Sequence, residues 1–95
     1  VSTWEDLALV RPEQIAYVQF CDAPLPESDS MWRETLHRRV MPGDGVFELE
    51  RFASTLMESG FDGIVSAEVL NAELRELPVA EFARRAYEST SRYWT

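Results

Sequence analysis

A chain of 95 residues, 45% of them hydrophobic, is long enough for one small domain with one core and too apolar for disorder. Its formal net charge is −8 and all nine basic residues are arginine, which argues against general binding to nucleic acid or to anionic membranes, since both need clustered cations. No apolar run approaches the ~18 residues of a membrane span, nothing reads as a signal peptide, and the single Cys21 rules out an internal disulfide, a combination that points to the cytoplasm.

The first residues, VSTWEDLALV, read as the middle of a domain. Ser2 and Glu5 have capping-box spacing, and Trp4, Leu7 and Ala8 share a face of the short helix that follows. Pro12 interrupts it. The stretch from Ile15 to Asp22 is short, rich in β-formers and nearly all apolar, as expected of a strand buried on both faces. Pro24 and Pro26 end it. A long connection from Ala23 to Val46 follows, with a short helix expected over Met31 to His37. From Phe47 to Ser59 the period becomes helical, with Leu49, Phe52, Ala53, Leu56 and Met57 on one face, and Gly60 is a natural stop. Ile64 to Leu70 reads as a second strand. Pro78 suits the first position of a final helix whose packed face holds Val79, Phe82, Ala83, Ala86 and Tyr93.

Strand, loop, helix, strand, helix implies a parallel pair joined by a crossover. Two parallel strands do not make a stable sheet alone, because parallel sheets are covered on both faces, and a complete (β/α) barrel needs ~250 residues. The expectation is therefore an α/β chain, residues 1–95, forming one portion of a larger barrel, with the rest supplied by further sequence or by another chain.

Alternation within the strands separates two faces. Ala16, Val18 and Phe20 share one, Tyr17 and Gln19 the other; Val65, Ala67 and Val69 share one, Ile64, Ser66 and Glu68 the other. Gln19 and Glu68 each fall near the C-terminal end of their strand, the rim where barrel active sites lie. An uncompensated carboxylate inside a barrel is costly. A cation held by oxygen donors, magnesium or manganese, would compensate Glu68. The structural alternative pairs Glu68 with an arginine and Gln19 with backbone.

The pattern IAYVQFCDAP … RRVMPGDGVFELERFASTLMESGFDGIVSAEVLN resembles the end of the sugar phosphate isomerase/epimerase group, which adopts the xylose isomerase-like (β/α)8 TIM barrel and includes tagatose epimerases, inosose dehydratases and 3-dehydroshikimate dehydratases. The resemblance covers nearly the whole chain, as the last two barrel strands and their helices. It implies a divalent metal, Mn2+ or Mg2+, held by four side chains at successive strand ends, commonly Glu, Asp, His and Glu. The third position falls on Gln19 and the fourth on Glu68, while the first two have no equivalent in this chain. Gln in place of His is similar to some 3-dehydroshikimate dehydratases. The resemblance also implies proton transfer by Glu68 beside a carbonyl of a keto sugar or cyclic keto acid, and contact of substrate oxygens by Arg39, four residues before Gly43, with Arg38 as the competing candidate.

Other residues have structural readings. Asp22 is expected to hydrogen-bond the following loop and Gly43 and Gly45 to shape its turn. Cys21 is expected to be a small apolar filler and His37 a solvated side chain. Met31 and Trp32 suit either a wall over the substrate or a subunit contact. Three functions compete: a metal-dependent isomerase, epimerase or dehydratase; a non-catalytic fragment that associates with a partner chain, through homo-oligomer or barrel completion; and an endonuclease on the same barrel. One histidine and a net charge of −8 disfavour the last.

Overall fold

The computed structural model of the chain describes residues 2–95. They form helix α1 (Trp4–Ala8), strand β1 (Val18–Phe20), helix α2 (Met31–His37), helix α3 (Leu49–Glu58), strand β2 (Val65–Ala67) and helix α4 (Val79–Ser91), with single 3-10 turns at Pro12–Gln14 and Leu74–Glu76. The strands pair in parallel, Val18 opposite Val65, Gln19 opposite Ser66 and Phe20 opposite Ala67. This is the expected strand–helix–strand unit, an incomplete barrel with two outer strand edges that no other strand of the described residues covers.

Each strand is shorter than its apolar run. The ladder extends only where both partners are in register. Beyond Phe20 its last bond is the N–H of Glu68 donating to the Phe20 carbonyl at 3.1 Å. Asp22 then turns to bridge Val40 in the loop rather than a second strand.

Local chemistry fixes the helices. Thr3 caps α1 in a capping box with Asp6, one residue later than the Ser2–Glu5 pair that the sequence suggests. Ser30 caps α2 by accepting the Arg33 N–H, so this helix has the bounds expected from sequence. α3 starts two residues later than its periodicity suggests, because Glu48 takes a non-helical ψ of 63° and the Phe47 carbonyl is used in a tight turn, accepting the Leu49 N–H at 2.9 Å. It ends as expected: Gly60 adopts φ +98° and donates to the Met57 carbonyl, and Phe61 donates to that of Leu56, a Schellman closure that spares a Cβ the left-handed region. Pro78 caps α4 from outside the helix rather than occupying its first position.

One face of the sheet is covered. Val18 and Phe20 pack with Leu49 and Leu56 of α3 and with Phe61, while Phe52, Tyr93 and Trp94 close over them. Phe20 is the hub, with the rings of Trp94 and Tyr93 at 5.4 and 5.7 Å, edge-on, the favoured aromatic arrangement. A second cluster joins Val69 to Met41 and Ala86, with Ala67 and Phe82 beside it. Val79, expected on the packed face of α4, is 86% exposed, and Ala83 is exposed as well. Ala83 instead lines a groove beside the outer edge of β2, along with Val65, Tyr87, Thr90 and Trp94. α4 is therefore covered on one flank only.

The opposite face of the sheet is bare. Tyr17, Gln19, Ile64, Ser66 and Glu68 are all exposed. In a closed barrel that face lines the interior.

Candidate functional site at the strand ends

The site is built on the loop between β1 and α3. Asp22 lies at the start of this loop, 1% exposed, and its carboxylate accepts four backbone N–H groups: Ala23 at 2.9 Å and Phe47 at 3.0 Å on Oδ1, and Gly43 at 2.9 Å and Gly45 at 3.1 Å on Oδ2. Such a nest compensates a buried anion without a cation. It draws the far end of the loop back onto β1, which is the loop role expected of Asp22. The glycines also act as expected. Gly43 takes φ +99°, and a Cβ at Gly45 would collide with the Ala23 carbonyl oxygen.

The middle of the loop, His37 to Val40, is laced between the two strand ends. The N–H groups of Asp22 and Val40 exchange bonds with each other's carbonyls at 3.1 and 3.0 Å. On the other side the Arg39 N–H donates to the Leu70 carbonyl at 3.0 Å and the Ala72 N–H to that of His37 at 3.1 Å. Asn71 completes the lacing. Its Nδ2 donates to the Arg39 carbonyl at 2.9 Å, and its Oδ1 accepts the N–H groups of Glu73 and Leu74 at 2.8 and 2.9 Å. No local sequence pattern announces the bond to Arg39, which joins residues 32 positions apart. The acceptor half of its role is the ordinary Asx turn that Asn-x-x before a 3-10 turn signals.

Two arginines compete for the substrate role and the structure separates them. Arg38 is consumed by Glu34 and Glu27 and by the Leu25 carbonyl. Arg39 forms no carboxylate pair among the described residues. Its guanidinium lies over the Phe47 ring, 5.4 Å from the centroid, with only the Thr35 hydroxyl at 3.4 Å as a weak acceptor. Phe47 and Thr35 are further residues that sequence reasoning did not connect to Arg39.

Gln19 and Glu68 share the bare sheet face at the strand ends. The Gln19 amide nitrogen is directed to the Tyr17 hydroxyl at 3.4 Å, a long contact that leaves its carbonyl oxygen unengaged. Glu68 has no ion pair and no side-chain hydrogen bond among the described residues, so the arginine partner of the structural alternative is not present there. Cys21, which follows β1, is half-buried and packs against the cluster of Met41, Val69 and Ala86. Burial pushes its thiol above the ordinary value, the Arg39 charge opposes this, and Asp22 and Glu68 reinforce it. The sulfur is half-buried at the end of β1. A groove of about 510 Å3 opens beside it, lined by Trp4, Gln19, Cys21, Val46, Phe47 and Phe52.

The donor set fits a hard divalent cation in part. An amide carbonyl and a carboxylate are oxygen donors of the right kind. Among the described residues no three His, Cys, Asp or Glu side chains cluster as a metal site, so any such site needs donors from outside this set. His37 is exposed, as are Met31 and Trp32, which stand on α2 at 70% and 74% exposure. No helix among the described residues is long and apolar enough to cross a membrane.

Comparison with known proteins agrees with this architecture. Residues 2–92 match the family model of the xylose isomerase-like TIM barrel. A 3-dehydroshikimate dehydratase of Pseudomonas aeruginosa is 40% identical over 67 residues, 70% of this chain and 10% of that protein. An inosose isomerase of Bacillus licheniformis is 40% identical over 52 residues, 55% of this chain and 19% of that protein. The solved structure of the IolI protein with a zinc atom superposes with a TM-score of 0.83 at 27% identity, over 98% of this chain and 32% of that one. The chain thus spans between a tenth and a third of the proteins it matches. On the family match and the parallel strand–helix–strand unit together, the chain belongs to the xylose isomerase-like TIM barrel family.

Proposed function

We propose that residues 1–95 are the C-terminal part of a barrel that removes a proton beside the carbonyl of a keto sugar or cyclic keto acid, with Gln19 and Glu68 as two of the ligands of a divalent cation. What supports this reading is that Gln19 on β1 and Glu68, directly after β2, are both exposed on adjacent parallel strands, and that Arg39, which forms no carboxylate pair among the described residues, is bonded through its N–H to Leu70 two residues beyond Glu68. A bound divalent cation polarises a carbonyl and offsets the charge that develops when the neighbouring C–H is lost. Gln19 offers a neutral oxygen and Glu68 a charged one. Glu68 also carries the proton, its carboxylate taking it from the substrate carbon and returning it. Arg39 binds substrate oxygens as a fork of donors, and Phe47 beneath it holds the guanidinium in plane. The metal is Mn2+ or Mg2+ in this reading; the zinc of the IolI structure supports divalent occupancy in the fold.

Isomerisation or epimerisation and dehydration share that first step. Dehydration of 3-dehydroshikimate is the second reading. It is favoured by the longer match to the dehydratase relative, and the family resemblance sets Gln19 where the epimerase pattern has His. A third reading, a non-catalytic barrel piece that binds a partner chain, rests on the uncovered strand edges.

The test is incubation of the assembled barrel containing this chain with inosose and with 3-dehydroshikimate, with and without manganese. The expected result is metal-dependent turnover of one of them, lost by about a hundredfold or more in Glu68→Gln. Turnover that persists undiminished without metal, or in Glu68→Gln, would overturn the reading.

A further inference from the structure

We propose that Asn71 is a positioning residue for Arg39, fixing the guanidinium relative to Glu68 by clamping the loop backbone onto the end of β2. The inference rests on the proposed substrate role of Arg39 and deepens it.

Arg39 lies in a loop, yet its backbone is held at both polar atoms. Its N–H donates to the Leu70 carbonyl at 3.0 Å, and its carbonyl accepts Nδ2 of Asn71 at 2.9 Å. Both partners follow Glu68 within three residues on the same strand continuation. Arg39 is thereby referenced to the strand that carries the carboxylate rather than to its own loop. The side chain itself is held weakly, by the Phe47 ring and a 3.4 Å contact to Thr35, so its aim depends on where the backbone places its Cα. Asn71 in turn cannot swing. Its Oδ1 is occupied by the N–H groups of Glu73 and Leu74, which turns Nδ2 toward Arg39. An amide is the side chain that donates on one side and accepts on the other; Asp or Ser keeps the acceptor and loses the donor or its reach.

The experiment compares Asn71→Ser and Asn71→Asp in the assembled barrel, alone and combined with Arg39→Ala, by steady-state kinetics with whichever of inosose or 3-dehydroshikimate is turned over. Both single variants keep an acceptor for the Glu73 and Leu74 N–H groups, so the turn after β2 is preserved. The expected result is a KM raised by about tenfold with kcat within about twofold, and no further rise when either is added to Arg39→Ala. Two outcomes overturn the inference separately. If Arg39→Ala raises KM but the Asn71 variants do not, or if their effects multiply with it, Asn71 merely caps the turn. If Arg39→Ala leaves KM unchanged while Glu68→Gln abolishes turnover, the substrate role of Arg39 fails and the inference falls with it, while the metal and proton-transfer reading stands.

Discussion

The Oδ2 atom of Asp22 accepts the Gly43 N–H at 2.9 Å, joining the end of β1 to the turn that leads into α3. With its three other backbone donors this carboxylate is the keystone of the loop that presents Arg39. Asp22→Ala leaves four donors without that acceptor in a buried site and is expected to destabilise the fold by about 3 kcal/mol or more. Asp22→Asn keeps one acceptor oxygen and should cost less. Urea denaturation of the two variants beside the parent checks both the size and the order; equal midpoints for all three would contradict the structure.

Gly45 sits where a side chain has no room. A Cβ there would strike the Ala23 carbonyl oxygen and press on the Asp22 carboxylate. Gly45→Ala is therefore expected to lose about 2 kcal/mol, through displacement of the loop rather than through backbone freedom. Thermal unfolding measures it. Because the displaced atoms include the Asp22 nest, combining Gly45→Ala with Asp22→Ala should cost less than the sum of the two.

Cys21 offers a chemical reporter of the rim. Its thiol is held above the ordinary value first by burial, with Arg39 pulling the other way and Asp22 and Glu68 adding to the rise. Since the thiolate is the reactive form, alkylation by iodoacetamide at neutral pH should be slower than for an unperturbed cysteine. Removing a stabilising cation raises the thiol further, so Arg39→Ala should slow the reaction. Removing an anion lowers it, so Glu68→Gln should speed it. Opposite signs in the two variants are the diagnostic result; identical rates would mean that neither charge reaches the sulfur.

Glu34 governs an acid-sensitive contact between α2 and the loop preceding it. Burial alone would push its carboxyl up, but the Ser28 hydroxyl and the Arg38 guanidinium bond it and hold it below its ordinary 4.5. A carboxyl lowered in the folded state binds its proton more readily when unfolded. Its stabilising contribution is present above pH 4.5 and is lost as pH falls through the lowered folded value. Glu34→Gln should flatten the acid limb of stability against pH while leaving the alkaline limb unchanged, as read from denaturation midpoints across that range.

Much of the architecture was written in local signals. The run from Met31 to His37 read as α2 and Gly60 as the end of α3, because short helical runs and left-handed closures involve neighbouring residues only. Boundaries that depend on distant partners were not legible. The strand runs looked longer than the ladders because a strand lasts only as long as its neighbour stays in register. Phe47 looked helical because its apolar spacing does not show the tight turn at Glu48, in which the Phe47 carbonyl accepts the Leu49 N–H. The capping box slipped by one residue because Ser2–Glu5 and Thr3–Asp6 offer the same spacing, and the chain uses the second.

The site shows the same division. Alternation put Gln19 and Glu68 on one face; in the structure Gln19 lies opposite Ser66, Glu68 follows the paired residues, and both are exposed. What alternation does not supply is the lacing of His37–Val40 between the two strand ends. That lacing pairs Asn71 with Arg39 across the whole of α3 and β2. Val79 was misplaced for a different reason. Apolar periodicity marks the faces a helix can bury, and α4 buries only one of them within these residues.

The bare outer edges of the ribbon carry a practical corollary for anyone handling the isolated polypeptide. Backbone N–H and C=O groups along those edges are a template for any extended segment that drifts past, and the groove between β2 and α4 is lined by Thr90 and Trp94, whose hydroxyl and indole N–H are buried without a hydrogen-bond partner among the described residues. Stickiness of that kind grows with concentration. Expressed alone the 95-residue piece should sediment as a mixture that shifts with dilution, and supplying further barrel strands in trans should render it soluble and uniform in size.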